Sequence, residues 1–304
     1  AIVNTAEGGC PPMKIKGGQQ LTGIHYDLPM ASAQVKSCVM LAGLYAKGNT
    51  SVTEPAPTRD HTERMLKGFG YEVGRTADTC SIMGQGQLTA TDIDVPSDIS
   101  SATFFLVAAA ICPGSDLVIE HVGMNPTRIG VVNILRLMGA DLTVQNEQEV
   151  GGEPVADLHI KYAPLKGIHV PEDQVPLAID EFPALMVAAS CATGITTITG
   201  AEELRVKESD RIQAMVDGLT TMGVSIEGTA DGAIIQGMGA DTQFGAAQIV
   251  THHDHRIAMA FTIAGLRAGA EIKILDCAHV ATSFPNFVEL ARTVGMTLDE
   301  EFQS

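Results

Sequence analysis

One stretch in the last third of the chain decides the fold: residues 215–235 read MVDGLTTMGVSIEGTADGAII. Its positions i, i+3, i+4 and i+7 are mostly apolar, which is the spacing of one face of an α-helix, and Gly223 follows as a C-terminal stop. The strand-like run 224–226 comes next, and Asp231-Gly232 then predicts a hairpin turn into a second strand. The stretch therefore predicts a helix followed by a β-hairpin.

The same pattern occurs four times, with the terminating glycine at Gly70, Gly139, Gly223 and Gly295. An Ala-rich apolar helix, a glycine and a short β-branched run lie upstream of each copy, so each unit reads strand, helix, strand, helix, strand, strand. A single unit of this kind cannot bury both of its helices. We predict an α/β fold of inside-out, barrel-like domains built from repeated βαβαββ units, with helices inward and sheets outward. The alternative is a generic α/β protein with coincidental spacing, and the four matched glycines favour the repeat.

The two ends of the chain do not fit whole units. Residues 1–16 resemble the closing strands of an earlier unit, and the fourth unit stops near Leu298 without its closing hairpin. The chain also begins at Ala1, so we expect a member of a longer repeat protein that lacks its N-terminal portion. We predict that residues 1–92 are the remainder of a first domain and that residues 93–304 form a second domain with most of three units.

Composition excludes several classes of function. The 304 residues contain 19 Lys+Arg against 36 Asp+Glu, a formal net charge of −17, and a field of that sign repels nucleic acid. No apolar run reaches the ~20 residues that a membrane span needs, and no signal peptide is apparent at the start. The six cysteines are scattered, which predicts buried free thiols in a reducing cytoplasm.

The polar residues that open the helices are the candidate functional residues. The N-terminus of a helix offers free N–H groups and a partial positive charge, which suit phosphate or carboxylate, and arginine adds a bidentate donor for the same groups. If the repeats direct these helix starts toward one cleft, the cleft gains four cations and two carboxylates able to carry protons. These are Arg59, Lys207, Arg211, Arg256, Asp180 and Glu208.

Simpler explanations exist for some of these positions. Ser100, Ser101 and Thr127 are most simply read as ordinary helix caps, and Arg59 or Arg128 taken alone as one partner of an ion pair. The run 252–255 (HHDH) could suggest a metal site, but adjacent histidines on a strand point to opposite faces and no second ligand cluster is present. We therefore predict no metal.

Seven stretches of the chain match one known family, in the order in which that family has them. They are LPMASAQVKS (28–37), EPAPTRDHTERML (54–66), NPTR (125–128), IDEFP (179–183), ELRVKESDRI (203–212), DHRIAMA (254–260) and TSFPNF (282–287). Through these stretches the chain resembles the EPSP synthase (3-phosphoshikimate 1-carboxyvinyltransferase) family, in a form similar to the bacterial class II enzymes known for tolerating glyphosate.

The resemblance implies an enolpyruvyl transferase fold and a reaction without metal or organic cofactor. Phosphoenolpyruvate would give its carboxyvinyl group to the 5-hydroxyl of shikimate 3-phosphate, and phosphate would leave. The resemblance gives catalytic roles to Asp180, Lys207 and Glu208. It implies that shikimate 3-phosphate is bound by Ser32, Ala33, Gln34, Thr58, Arg59, Asp180, Glu203 and Lys207, and that phosphoenolpyruvate is bound by Gln34, Arg211 and Arg256.

The chain also departs from the family pattern. The family's N-terminal Lys-Ser-x-x-x-Arg segment, its Gly-Asn-x-Gly-Thr loop and its Arg-Pro-Met segment are not in this sequence, and Thr282 stands where some relatives have lysine. We therefore expect this chain alone to have little or no activity. The resemblance implies a cytoplasmic enzyme that is a monomer when complete.

Two other functions remain open at this point. The sister reaction on UDP-N-acetylglucosamine shares the fold, but that family relies on a cysteine in a mobile loop, and no cysteine here has such a context. The other is a non-catalytic half that binds a complementing partner, here an N-terminal segment, through exposed repeat edges.

Overall fold

The computed structural model describes residues 2–241 and 243–301, and these form two compact units. The first unit runs to Val95 and also takes Glu149–Glu153, and the second takes Pro96–Gln148 and the chain from Pro154 onward. The predicted domain boundary at 92/93 stays a prediction. The compact units divide three residues later, at 95/96, and no sequence signal indicates that 149–153 belong with the first unit.

The first unit contains one whole βαβαββ repeat, preceded by an antiparallel pair of strands. Its strands are paired in the order β3-β4-β6-β5, with β3 parallel to β4 and the other neighbours antiparallel. The pairing of β1 with β2 confirms the two strands predicted within residues 1–16. The elements are β1 (Ile2–Asn4), β2 (Lys14–Lys16), β3 (His25–Asp27), α1 (Ala33–Gly43), β4 (Asn49–Thr53), α2 (His61–Gly68), β5 (Val73–Arg75) and β6 (Thr79–Met83).

The core of the first unit is small and contains a buried cation. Its apolar part consists of Leu28, Met40, Val52, Leu66, Tyr71, Val73, Cys80 and Ile82. Lys36 on α1 is fully buried, and its Nζ lies 3.0 Å from Glu54 and 2.9 Å from Glu63. Arg75 approaches the same two carboxylates from the surface. This ion cluster links α1 and α2 with Glu54, just after β4, and with Arg75 on β5, so the loss of one partner would leave a buried charge uncompensated.

The second unit contains the other three repeats. Its sheets have the strand orders β7-β9-β8, β10-β12-β11 and β13-β14, the last a parallel pair. The elements are α3 (Ile99–Ile111), β7 (Asp116–Gly123), α4 (Gly130–Leu137), β8 (Asp141–Val150), β9 (Glu153–Lys161), α5 (Phe182–Cys191), β10 (Thr193–Ile198), α6 (Arg211–Thr221), β11 (Ser225–Thr229), β12 (Gly232–Met238), β13 (Ala247–Val250), α7 (His255–Ala264), β14 (Ile272–Leu275), α8 (Val280–Ser283) and α9 (Phe287–Thr293).

Three helices form the centre of this unit. The first helices of its repeats, α3, α5 and α7, are apolar almost all round, and nearly all of their residues are buried. A helix that is hydrophobic on every side can be accommodated only inside a protein, and here each of the three packs against the other two. The sheets lie outside them. The predicted inside-out arrangement of βαβαββ repeats is therefore confirmed within the second unit.

The glycine signals are confirmed, with one correction. Gly70, Gly139, Gly223 and Gly295 all have positive φ after the second helix of their repeat, which residues with a side chain adopt at a cost. The β11–β12 hairpin exists, but its turn is 230–231, and Gly232 already pairs with Thr229. Gly232 is required for another reason: a Cβ there would lie 2.0 Å from the carbonyl oxygen of Ile198 in the neighbouring strand.

Three details differ from the sequence predictions or complete them. The first strands of the second and third repeats are reduced to isolated parallel bridges, such as Ser97 with Val122, where Pro96 has no N–H to extend a ladder.

All six cysteines are free, but Cys10, Cys38 and Cys277 are exposed, not buried, because they lie in a turn, on an exposed face of α1 and after β14. Among the described residues, every helix is too short or too polar to cross a membrane.

Replacement of Lys36 tests the buried ion cluster. Lys36→Ala leaves Glu54 and Glu63 buried with only Arg75, and we expect the free energy of unfolding of the first unit to fall by about 3–5 kcal/mol. Alkylation of the buried Cys80 thiol under native conditions should then become faster.

The buried thiol of Cys191, in the second unit, serves as an internal reference in the same sample. Lys67→Ala, which removes an exposed lysine of α2, is the matched control. Equal alkylation of Cys80 in the Lys36→Ala variant and the original chain would show that the cluster does not stabilise the unit.

Candidate active site

A group of charged residues in the second unit lies at the starts of α5, α6 and α7. Asp180 lies in the 3-10 turn Ile179–Glu181 that leads directly into α5. Arg211 is the first residue of α6, and Arg256 stands in the first turn of α7. Because α5, α6 and α7 pack against one another, these first turns lie close together, and their side chains form one connected cluster.

Arg211 is the centre of this cluster. Its side chain is 1% exposed, and its Nε donates to Asp254 Oδ2 at 2.8 Å. The two Nη groups face two further carboxylates: Nη1 is 3.4 Å from Asp180 Oδ1, and Nη2 is 2.6 Å from Glu208 Oε2. One guanidinium thus bridges three carboxylates from separate segments.

Lys207 adds a second cation beside Asp180. Its Nζ is 3.4 Å from Asp180 Oδ1 and also forms an ion pair with Glu203, one turn earlier in the 3-10 helix Glu202–Val206. Glu203 and Glu208 are more than half exposed, at 60% and 52% of their side chains, whereas Asp180 and Lys207 are mostly buried. The exposed carboxylates can therefore move away from their cations at little cost.

Asp254 fixes both arginines and was missed as a site residue. It caps α7 by accepting the N–H of Arg256 at 2.9 Å, and it also accepts the hydroxyl of Ser209 at 3.0 Å. Burial opposes the charged form of this carboxylate, but the hydrogen bond and charge of Arg211 outweigh it and lower the pKa of Asp254. An aspartate two residues before an arginine reads as an ordinary cap in the sequence, so the chain alone does not reveal that it also holds Arg211.

A second missed group surrounds Glu181, the residue after Asp180. Ser100 donates a short hydrogen bond to Glu181, and Arg128 in turn donates to Ser100. The reading of Ser100 as a cap is wrong, because Asp98 caps α3 through the N–H of Ser101 and leaves the Ser100 hydroxyl free for Glu181. Thr127 is held by the side chain of Asn125 instead.

In the first unit, the predicted residues lie at the starts of α1 and α2. Ser32 caps α1 by accepting the N–H of Val35 at 3.3 Å, and its hydroxyl is 3.4 Å from Gln34 Oε1. Ala33 is the first residue of that helix. Thr58 donates a short hydrogen bond to Glu54 and precedes Arg59 just before α2. Thr58 therefore binds the carboxylate of Glu54, which also forms an ion pair with Lys36.

The structure thus brings together, within the second unit, all the predicted residues that the unit contains. They are Asp180, Glu203, Lys207, Glu208, Arg211 and Arg256. Ser32, Ala33, Gln34, Thr58 and Arg59 belong to the first unit. Their roles in substrate binding stay predictions.

Repeated βαβαββ units around fully buried helices, with charged residues at the helix starts, define the class of the fold as that of the enolpyruvyl transferases. A model of the EPSP synthase (3-phosphoshikimate 1-carboxyvinyltransferase) family matches residues 1–290. The chain belongs to the EPSP synthase family.

Individual relatives support this assignment. The chain is 62% identical over 299 residues to a 3-phosphoshikimate 1-carboxyvinyltransferase of Methylococcus capsulatus. That alignment covers 98% of this chain and 68% of the relative. It is 62% identical over 303 residues to the protein of the same name from Hydrogenovibrio crunogenus, with 98% and 68% covered. A solved EPSP synthase of Acinetobacter baumannii superposes with a TM-score of 0.92 at 61% identity, over 97% of this chain and 68% of that one. The chain spans about two thirds of the length of these relatives.

Asp254→Asn tests the electrostatic centre of the site. The folded pKa of Asp254 lies below its ordinary value of 3.8, so its carboxylate stabilises the fold above about pH 3.8, and this contribution disappears as the pH falls through the folded pKa. We expect the variant to lose about 3 kcal/mol of unfolding free energy at pH 7. The difference from the original chain should shrink as the pH is lowered toward 3 in urea-unfolding experiments.

Asp217→Asn, which replaces an exposed aspartate on α6, is the control and should show no such pH dependence. A loss that is the same at pH 3 and pH 7 would mean that Asp254 acts by packing and not by charge.

Proposed function

We propose that this chain forms the larger part of an enzyme that transfers the carboxyvinyl group of phosphoenolpyruvate to the 5-hydroxyl of shikimate 3-phosphate. The main support is the position of Arg211: its Nη groups lie between Asp180 and Glu208, and its Nε is bound by Asp254. A transfer of this kind needs a cationic seat for an anionic donor with a proton acceptor and a proton donor beside it. Membership of the EPSP synthase family supports the same reaction.

The cluster suits an anion that must displace a carboxylate in order to bind. Arg211 Nε is committed to the buried Asp254, but its Nη2 pairs with the half-exposed Glu208. Lys207 likewise pairs with the exposed Glu203. A phosphate or carboxylate of the substrate can take the place of these partners on the cations, which explains how an acidic chain could bind anions. Glu208, once released, is free to act on the reacting carbon.

The proposed reaction balances with these groups. In the addition step the 5-oxygen bonds to C2 of phosphoenolpyruvate, Asp180 accepts the hydroxyl proton, and Glu208 takes part in delivering a proton to C3. In the elimination step the bond from C2 to the phosphate oxygen breaks, C3 returns its proton, and phosphate leaves with the proton from Asp180. Lys207, 3.4 Å from Asp180, stabilises its charged form.

We propose that each unit contributes the binding residues assigned to it by resemblance. From the second unit, Asp180, Glu203 and Lys207 bind shikimate 3-phosphate, and Arg211 and Arg256 bind phosphoenolpyruvate. From the first unit, Ser32, Ala33, Gln34, Thr58 and Arg59 bind shikimate 3-phosphate, and Gln34 also approaches phosphoenolpyruvate.

We further propose that the remaining third of the family's length covers α1. The inner helices of the second unit are buried on all sides, but α1 buries only Lys36, Met40 and Gly43. Apolar side chains of α1 and of the residues after it, among them Leu41 and Tyr45, are exposed, Tyr45 to 79%. A face of this kind is completed by further helices. An N-terminal segment of the family would thus act as the complementing partner, and the completed protein would be a cytoplasmic monomer.

Phosphate release tests the reaction and the partner together. The chain is assayed alone and after mixing with the N-terminal third of the Methylococcus capsulatus relative. We expect little release from the chain alone and clear release from the mixture, only when shikimate 3-phosphate and phosphoenolpyruvate are both present. Asp180→Asn should lower kcat by about 10²- to 10⁴-fold, because the proton acceptor is lost.

Asp173→Asn, at an exposed aspartate of the same unit, is the matched control. Release that depends on UDP-N-acetylglucosamine in place of shikimate 3-phosphate would replace the proposed reaction by the sister one. A normal rate from the chain alone would remove the need for a complementing segment. The finer assignment to the glyphosate-tolerant class II group rests on the resemblance alone, and inhibition of the mixture by low glyphosate concentrations would contradict it.

A further inference from the structure

Glu181 is a buried acid that the proposed chemistry does not use. It follows Asp180 in the turn before α5, and its side chain is 1% exposed. Two groups from other repeats approach its carboxylate: the hydroxyl of Ser100 on α3 donates to it, and Arg256 Nη1 on α7 lies 3.8 Å away. One carboxylate therefore connects the first turns of all three inner helices.

The support of this carboxylate extends one residue further. Arg128, in the loop before α4, donates through Nη2 to the hydroxyl of Ser100 and, at 3.4 Å, to Asp98. Asp98 is the cap of α3, so the backbone of that helix start and the side chain of Arg128 are fixed together. Ser100 is consequently held in the orientation in which its hydroxyl points at Glu181.

The other end of the connection is a residue proposed to bind substrate. Arg256 Nη1 donates to the backbone oxygen of Asp180 at 3.1 Å as well as facing Glu181. A guanidinium cannot lose its proton in a protein, so a largely buried arginine needs a counter-charge to stay in place. Glu181 supplies that charge, and the hydrogen bond to the carbonyl of Asp180 orients the guanidinium group of Arg256.

Stability does not explain the presence of an acid at this position. Burial raises the pKa of Glu181, although Arg256, Ser100 and Arg128 act in the opposite direction. A carboxylate whose folded pKa is raised destabilises the fold at pH values above that of the free group, so ionised Glu181 costs stability at pH 7. A neutral residue of equal shape would remove this cost but would leave Arg256 without its buried counter-charge. Groups that cost stability are frequently retained because they act in function.

We propose that Glu181 is a positioning residue, whose buried carboxylate, held by Ser100 and Arg128, fixes Arg256 against the turn that carries Asp180. The inference rests on the proposed function in taking Arg256 as a seat for phosphoenolpyruvate. Glu181 itself is covered by the three helices, so it acts through Arg256 and does not touch the reacting atoms. Its part is to keep the cationic seat and the proton acceptor at a fixed separation.

Glu181→Gln is the sharpest test because it keeps the shape of the side chain and removes the charge. In the mixture with the N-terminal third of the Methylococcus capsulatus relative, we expect the dissociation constant for phosphoenolpyruvate to rise by about tenfold, since the buried counter-charge of Arg256 is lost. We also expect the melting temperature at pH 7 to change little, because relief from burying the carboxylate offsets the loss of the counter-charge of Arg256. A residue with a purely structural role would show the reverse: a lower melting temperature and unchanged binding.

A second measurement reads Arg256 directly and needs no ligand. The guanidinium resonances of Arg256 in ¹⁵N NMR spectra, assigned with Arg256→Lys, should show slow rotation of the Nη groups in the original chain and faster rotation in Glu181→Gln. Ser100→Ala should produce a smaller change in the same direction, and the effects of the two substitutions should not add. Glu227→Gln, at an exposed glutamate on β11, should change neither reading.

The two measurements separate the possible failures. If the mixture with the N-terminal segment does not bind phosphoenolpyruvate but Arg256 rotates faster in Glu181→Gln, the proposed seat is wrong and the positioning contact stands. If the mixture binds phosphoenolpyruvate and the Glu181→Gln mixture binds it equally well with unchanged Arg256 rotation, the proposal for Glu181 is overturned.

Discussion

The close packing of α3, α5 and α7 is the constraint on which the second unit depends. Each of these helices is apolar around nearly its whole circumference, so none can face water, and each packs against the other two. The contacts of Glu181 with Ser100 and of Arg256 with the Asp180 carbonyl show that the three helices also begin at the same end. The charged residues of these helices lie at that end, and polar side chains further along, such as Thr103 and Ser190, bond to the backbone of their own helix. The need to bury three apolar helices thus produces a single place where charged groups from three repeats meet.

Much of this fold could be predicted because its signals are local. The helix-then-glycine pattern depends on the backbone of a few residues, and the positive φ of Gly70, Gly139, Gly223 and Gly295 follows directly from it. The almost wholly apolar sequences of α3 and α5 likewise predict, without any other information, that these helices are buried. The short first strands of the second and third repeats could not be predicted, because a single bridge leaves too few residues to show a period of two.

The cations of the candidate site could be predicted from the sequence, but the residues that hold them in position could not. Lys207, Arg211 and Arg256 were singled out because cations beside the free N–H groups of helix starts suit phosphate or carboxylate. Asp254 and Ser100 look like caps in any sequence, and only the packing of separate repeats shows that one holds Arg211 and the other reaches Glu181. Lys36 illustrates the same limit, since its burial depends on Glu54 and Glu63, which lie on other elements.

The two-stranded sheet of the fourth repeat has a consequence for handling the protein in solution. Within the described residues, β14 pairs with β13 alone, so its other edge presents unpaired backbone groups to a passing strand from another molecule. Lys273 in the middle of β14 forms an ion pair with Glu301 at 2.8 Å, and both side chains are largely exposed. Charge of this kind on an edge strand discourages intermolecular pairing, so high ionic strength, which screens it, favours aggregation through this edge.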